Sequence, residues 1–182
     1  MPMYVLQVMT GQETSITDAL RRVGMPAYCP QETRSTRRGG AWRDEVYTLY
    51  PGYVFVEVED VMRCYYAVRS QYGVVCWLGM HSGAPVALAE PERERILWMA
   101  KDGPLPPSVA VPQPDGTLRF TEGPLLLLAG RILHIDRHDR RAVVSLPVAG
   151  ERKRVKLSFK ISESEYITAA GTPRGGVPED TA

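Results

Sequence analysis

The chain has 182 residues, enough for one ordinary domain or two small ones, and its 44% hydrophobic and 24% charged content exclude a wholly disordered protein. With 22 basic against 21 acidic residues, the overall charge points to neither nucleic acid nor an acidic membrane surface. That balance conceals one region, because residues 131 to 160 hold nine Lys and Arg against three Asp and Glu.

Residues 3 to 9, Met-Tyr-Val-Leu-Gln-Val-Met, predict a strand apolar on both faces, as in a sheet covered on both sides. Thr10-Gly11-Gln12-Glu13 has the pattern of a capping box, and Ile16, Ala19, Leu20 and Val23 continue it as one helical stripe that Gly24 can end. Residues 27 to 34 read as extended, and residues 35 to 43 as a polar loop with two glycines. A strand over 45 to 49 meets Pro51-Gly52. In the next strand, 53 to 58, Tyr53 and Phe55 share one face and Val54, Val56 and Val58 the other. Val61, Cys64, Tyr65 and Val68 predict a second helix, residues 74 to 78 a strand, and residues 90 to 101 a third helix opened by Glu90-Pro91-Glu92.

Five prolines between 103 and 116 predict a semi-rigid linker. Beyond it the pattern is of strands only: Leu118 to Phe120, then 131 to 136, 142 to 148 and 153 to 161. The expected architecture is therefore an α+β domain over 1–102, an antiparallel sheet with packed helices. A linker over 103–116, a small all-β SH3-like barrel over 117–168 and a disordered tail over 169–182 follow it.

Three basic clusters carry the functional reading. In Arg152-Lys153-Arg154-Val155-Lys156-Leu157-Ser158-Phe159-Lys160-Ile161, apolar residues alternate with Arg154, Lys156, Ser158 and Lys160, so one face fills the barrel while the other presents a row that can follow phosphates. An edge strand guarded by cations against aggregation has the same pattern. The turn residues Arg137, His138, Arg140 and Arg141 offer planar donors and a stacking ring suited to RNA, or a hairpin tip paired with its own Asp136 and Asp139. Arg34, Arg37, Arg38 and Arg43 surround the Gly39-Gly40 loop and suit either nucleic-acid contact or simple solubility.

Tyr47, Tyr50, Tyr53 and Phe55, with Tyr4 on a neighbouring strand, form an aromatic set. If the helices cover the valine face, these rings line a cavity open to water of the kind that binds a protein partner; ordinary core packing is the alternative. Catalysis has no support. His134 and His138 fall on a strand and its turn, where that spacing does not converge on one ion, and no Ser-His-Asp, Cys-His or phosphate-loop pattern occurs. Cys29, Cys64 and Cys76 form no Cys-x-x-Cys pair, which with the lack of any apolar run of about 18 residues predicts a cytoplasmic protein without a cofactor or membrane contact.

Tyr4-Val5-Leu6-Gln7-Val8 followed by Thr10-Gly11-x-Glu13, Tyr50-Pro51-Gly52-Tyr53-Val54-Phe55-Val56, Val68-Arg69-Ser70 and Gly79 resembles the amino-terminal (NGN) domain of the NusG family. Glu122-Gly123-Pro124-Leu125, Gly130-Arg131-Ile132 and Ile135-Asp136-Arg137-His138-x-Arg140-Arg141-Ala142 resembles that family's KOW domain, and the wording of this segment is most similar to the specialised LoaP branch. The resemblance implies a non-enzymatic, monomeric elongation or antitermination factor. Its NGN domain would grip the clamp helices of the largest subunit of bacterial RNA polymerase through Tyr4, Tyr50, Pro51, Gly52, Tyr53 and Phe55. Its basic KOW surfaces would bind nascent RNA, a leader hairpin in the LoaP case. The family's housekeeping form instead implies a KOW domain that adapts to ribosomal or termination proteins.

Overall fold

Strands that are apolar on both faces must be covered twice, and the computed structural model, which describes residues 1–39, 41–80 and 83–162, meets that requirement with helices on one face of a sheet and a helix plus a second unit on the other. In chain order the first half runs β1 (Met3–Val8), α1 (Glu13–Arg22), β2 (Ala27–Tyr28), β3 (Gln31–Arg38), β4 (Ala41–Thr48), β5 (Tyr53–Glu57), α2 (Val61–Arg69), β6 (Val74–Trp77) and α3 (Glu90–Ala100). Strands β2, β5, β1 and β6 form one antiparallel sheet in that spatial order.

Leu6, Val8, Val54 and Val56 join Ile16 and Leu20 of α1 and Val61 and Val68 of α2 in one buried cluster. Met3, Val5 and Phe55 turn the other way and pack with Ile96 and Met99 of α3. The two-sided reading of β1 and β5 thus holds, and the valine face is the one under α1 and α2.

Glu13 does more than open a helix. Its carboxylate accepts from Gly11 N at 2.8 Å and from Gly52 N at 2.7 Å, fastening the start of α1 to the Pro51-Gly52 turn. Gly52 holds that turn with φ of 83°, where a side chain is disfavoured. The Thr10 hydroxyl expected to cap the helix does not: the cap position is Gln12, with no side-chain bond.

Two expected loops are strands. Residues 35 to 43 were expected as an open loop, but β3 and β4 pair from Gln31↔Thr48 to Arg38↔Ala41 as a long antiparallel hairpin. Threonines and aromatics suit that ladder better than the glycines alone suggest. Within the expected linker, β7 (Ser108–Pro112) pairs parallel to β11 (Glu151–Ile161) and antiparallel to β8 (Leu118–Glu122). Prolines hid it: in Ser-Val-Ala-Val-Pro the apolar residues are contiguous, and the single proline stands at the strand's end, where a missing donor costs little.

The second half continues with a short helix α4 (Pro124–Leu127), β9 (Ile132–Asp136) and β10 (Arg141–Val148), giving a five-stranded sheet in the order β8, β7, β11, β10, β9. It curls around Ala110, Phe120, Leu125, Val144, Leu146, Val155, Leu157 and Phe159. The strict alternation along β10 sends Ala142, Val144, Leu146 and Val148 inward. Gly123 makes a necessary close approach: a Cβ there would sit 2.7 Å from the Ser108 Cα, and φ is 84°. The α+β first half and the β-rich second half agree with the sequence expectation. The expected tail, residues 169–182, lies outside the described residues.

Candidate functional site

The aromatic face follows from the pleat of β5. Because successive side chains alternate, Tyr53 and Phe55 project away from α1 and α2, and Tyr50 joins them from the preceding turn. The Tyr50 and Phe55 rings meet edge to face at 5.4 Å. Tyr4 does not join this set. It pairs with Val56 across the ladder, lies on the valine face and meets Trp77 edge to face at 6.1 Å. The residues Tyr4, Tyr50, Tyr53 and Phe55 therefore stand on two sides of one sheet, a consequence of register that a list of aromatics cannot show.

The face is also not open to water, which corrects the expectation of an exposed cavity. Phe55 is fully buried and Tyr50 is 3% exposed, its hydroxyl 3.8 Å from Met99 Sδ on α3. Burial pushes the Tyr50 phenol far above its ordinary value. Tyr53 is half-buried, Gly52 is buried and Pro51 is exposed. What closes over Tyr53 is the second unit: Lys153 Nζ donates to the Tyr53 hydroxyl at 2.9 Å and stands 4.7 Å from the ring centroid. The bond to Glu151, and then that to Tyr53, holds the Lys153 ammonium above its ordinary value.

Further polar ties run along the same junction. The Glu92 carboxylate on α3 accepts from Ala149 N at 3.3 Å, and Arg95 donates to the Pro147 carbonyl at 3.5 Å. On the hairpin side, Glu32 is 1% exposed and accepts from both the backbone N (2.8 Å) and the hydroxyl (3.2 Å) of Ser158 on β11. Arg34 pairs with the same carboxylate, stacks 4.4 Å from the centroid of Tyr47 and donates to the Lys156 carbonyl at 3.4 Å. Charge-assisted bonds of this kind are about twice as strong as neutral ones, so Glu32 is a strong polar tie between the halves, beside the apolar cluster they share.

That tie corrects another expectation. Ser158 was expected in an outward row with Arg154, Lys156 and Lys160, but it is buried beneath β3, which splits the row. Arg154 and Lys156 remain exposed on one side and Lys160 on the other. The three basic clusters of the sequence are redistributed accordingly. Arg34, His138, Arg140 and Arg141 come together with Lys160 around one cleft between the hairpin and the barrel. Arg137 instead donates to the Gly116 carbonyl on the β7–β8 turn. Arg152 lines a shallow hollow with Arg131 and Leu133, and Arg43 is exposed on β4. Arg37 and Arg38 lie near the end of β3, opposite Trp42 and Ala41; the side chains of Arg37 and Arg38 lie outside what the structure describes.

The residues missed by sequence reasoning are Glu32, Ser158 and Glu92. In the sequence Ser158 and Glu92 read only as a strand position and a helix opening and Glu32 only as extended chain, and the docking of two units gives each its role at the junction. Among the described residues no group of His, Cys, Asp and Glu could hold a metal ion, and no helix is long and apolar enough to cross a membrane.

Comparison with known proteins places this geometry in context. The family model described as transcription termination factor nusG matches residues 1–97, more than half the chain, including the whole of the four-stranded sheet with α1, α2 and most of α3. The transcription termination/antitermination protein NusG of Escherichia coli strain K12 is 26% identical over 168 residues, covering 86% of this chain and 92% of that protein. The protein of the same name from Pasteurella multocida is 27% identical over 166 residues, covering 86% and 91%. A solved structure described as domain interaction in Thermotoga maritima NusG is similar at 19% identity and a TM-score of 0.49, covering 86% of this chain and 93% of that one.

Proposed function

This chain belongs to the NusG family of transcription termination and antitermination factors, and from that premise we propose that it is a cytoplasmic, monomeric antitermination factor that binds bacterial RNA polymerase through its first unit and nascent RNA through its second. The observation that carries the reading is the state of the Tyr53 face. It belongs to the matched family domain; α3 covers Tyr50 and Phe55, while the half-buried Tyr53 ring at its edge is met by a lysine from the neighbouring unit.

A face closed in that way can be exchanged. The clamp helices of the polymerase's largest subunit would take the place of the barrel over Tyr53, with Tyr50 and Phe55 as the rigid support beneath and Pro51 and Gly52 at the edge. Tyr4, on the other face, would act by holding Trp77 and hence β6 in place. Polymerase binding then requires the barrel to move off, and the measured affinity is the intrinsic one reduced by the fraction of molecules already open. Once bound, the factor would suppress pausing by preferring the closed polymerase clamp to the opened one.

The freed barrel would present Arg137, His138, Arg140, Arg141, Arg152, Arg154 and Lys156 to RNA, in the manner of the operon-directed LoaP branch, with a leader hairpin as the target. Arg34, Arg37, Arg38 and Arg43 would extend that surface from the hairpin. A gel shift of the full chain on a structured leader RNA at physiological salt tests the RNA half: Kd must fall below the nonspecific range of about 1 to 100 micromolar, and weaker binding abandons it. Exposed Leu126, Leu127 and Leu133 on the barrel favour a second reading, a general factor whose barrel adapts to ribosomal or termination proteins. Capture of such a protein by a chain that fails the gel shift supports that alternative.

A further inference from the structure

The cleft between hairpin and barrel has a volume of about 390 Å³, within the usual span of small-ligand sites. Its rim is cationic, with Arg34 from β3 facing Arg140, Arg141 and Lys160 from the barrel, and Asp139 is the acid that lines it. Its remaining wall joins the apolar Pro107, Phe159 and Ile161 to His138 and to the serines Ser35 and Ser158. A cationic rim over an apolar floor suits a ligand that is itself divided into an anion and a flat, weakly polar body.

Arg34 is held ready for such a ligand. Its pairing with Glu32, its stacking on Tyr47 and its bond to the Lys156 carbonyl fix the guanidinium before anything binds, so little rotamer freedom remains to be lost. Arg140 turns into the left-handed region with φ of 53°, a conformation that side-chain-bearing residues avoid, and its carbonyl accepts from Phe159 N at 3.0 Å. The rim is therefore anchored on both sides.

We infer that this cleft is a nucleotide site: the phosphate lies among Arg34, Arg140, Arg141 and Lys160, and the base and sugar lie along Pro107 and Ile161. The inference deepens the reading of the basic surfaces as RNA-contacting, applied to the docked chain before polymerase binds rather than to the freed barrel, and rests on it for the source of the nucleotide, a unit of single-stranded RNA. A short, partly open concavity of this size suits one nucleotide better than an extended acidic peptide, which needs a groove along a strand edge. Because Arg34 and Ser35 come from one unit and the other lining groups from the barrel and its approach, the complete site exists only while the halves are docked. Ligand in the cleft thus stabilises the docked form, and it opposes any partner that needs the Tyr53 face uncovered by the same factor in both directions.

The test is an amide-resolved NMR titration of the full chain with 5′-AMP, with adenosine, and with a short single-stranded oligoribonucleotide. AMP is expected to shift the Arg34, Arg141 and Ser158 signals, with adenosine at least roughly tenfold weaker because it lacks the phosphate. The oligoribonucleotide should bind more tightly at the same signals, and Arg141→Gln or the exposed Lys160→Gln should lower its salt dependence by about one ion while the exposed Arg22→Gln on α1 leaves AMP binding unchanged. If AMP leaves these signals unmoved while RNA binds through Arg154 and Lys156, the cleft assignment is overturned and the RNA reading stands. If AMP binds there but the oligoribonucleotide does not, the cleft stands with free nucleotide as its ligand and the RNA reading falls. An oligoglutamate peptide that fills the cleft as tightly as the oligoribonucleotide overturns the nucleotide assignment.

Discussion

Replacing Glu32 by Gln is the perturbation that separates the two units most selectively. The carboxylate is 1% exposed and accepts two bonds from Ser158 while pairing with Arg34. An amide of the same shape keeps one acceptor and turns its NH2 toward donors. Bonds to a buried charged acceptor are worth about 1.5 to 3 kcal/mol each, and removing one partner of a buried ion pair costs about 3 to 5 kcal/mol. Arg34, 12% exposed, can recover part of its hydration, so we take roughly 2 kcal/mol as the lower bound on lost docking energy. That figure changes the ratio of docked to open molecules by about thirtyfold. Hydrogen exchange reads it directly: the Ser158 amide should lose protection by at least that factor, while the amides of β1 and β5, whose ladder does not involve Glu32, keep theirs. Unchanged Ser158 protection would refute the reasoning. Equal loss throughout the first sheet would refute it too, since it would mean that Glu32 supports the fold rather than the junction.

Four other outcomes are expected. Tyr53→Ala should abolish binding to core RNA polymerase in a pull-down while leaving RNA binding by the barrel intact, and loss of both or retention of both removes Tyr53 from the proposed surface. Phe55→Ala should instead unfold the first unit, because truncating a fully buried Phe costs about 3 to 5 kcal/mol; a urea midpoint equal to the parent's would contradict the burial argument. Gly123→Ala should lower thermal stability through both its φ of 84° and the 2.7 Å approach to Ser108, and an unchanged Tm would show that β7 can retreat. The folded Lys153 value lies above the ordinary 10.5, so its contribution is complete below that pH and is lost only as pH rises through the folded value. A carbon-detected titration of the Lys153 side chain should therefore show a midpoint above 10.5, and a midpoint at or below it would mean that the bonds to Glu151 and Tyr53 do not persist in solution.

Much of the fold was legible because it rests on local periodicity. The double-faced strands at 3 to 8 and 53 to 57, the stripe at Ile16 and Leu20, and the inward alternation of Val144, Leu146 and Val155 are all one-dimensional signals of burial. The errors came where chemistry resembles a loop but pairing decides. Arginines and two glycines disguised the β3–β4 hairpin, and prolines disguised β7, whose partner β11 lies some fifty residues away.

The candidate site was legible by residue type and not by arrangement. Alternation placed Tyr53 opposite Val54, yet only the register between β1 and β5 shows that Tyr4 faces the valines. Four of the arginine-cluster residues gather round one cleft because Ser158 docks on Glu32, a contact between positions 126 apart that no local pattern encodes.

The central claim is that the Tyr53 face, covered by the barrel in the free molecule, is where RNA polymerase docks. A photo-crosslinking residue placed at Tyr53 tests it most directly. Alone, the chain should crosslink within itself, between position 53 and the β10–β11 end near Lys153; with core polymerase added, that product should fall and a crosslink to the clamp helices of the largest subunit should replace it. A persistent internal product in saturating polymerase, with no adduct on that subunit, would contradict the account.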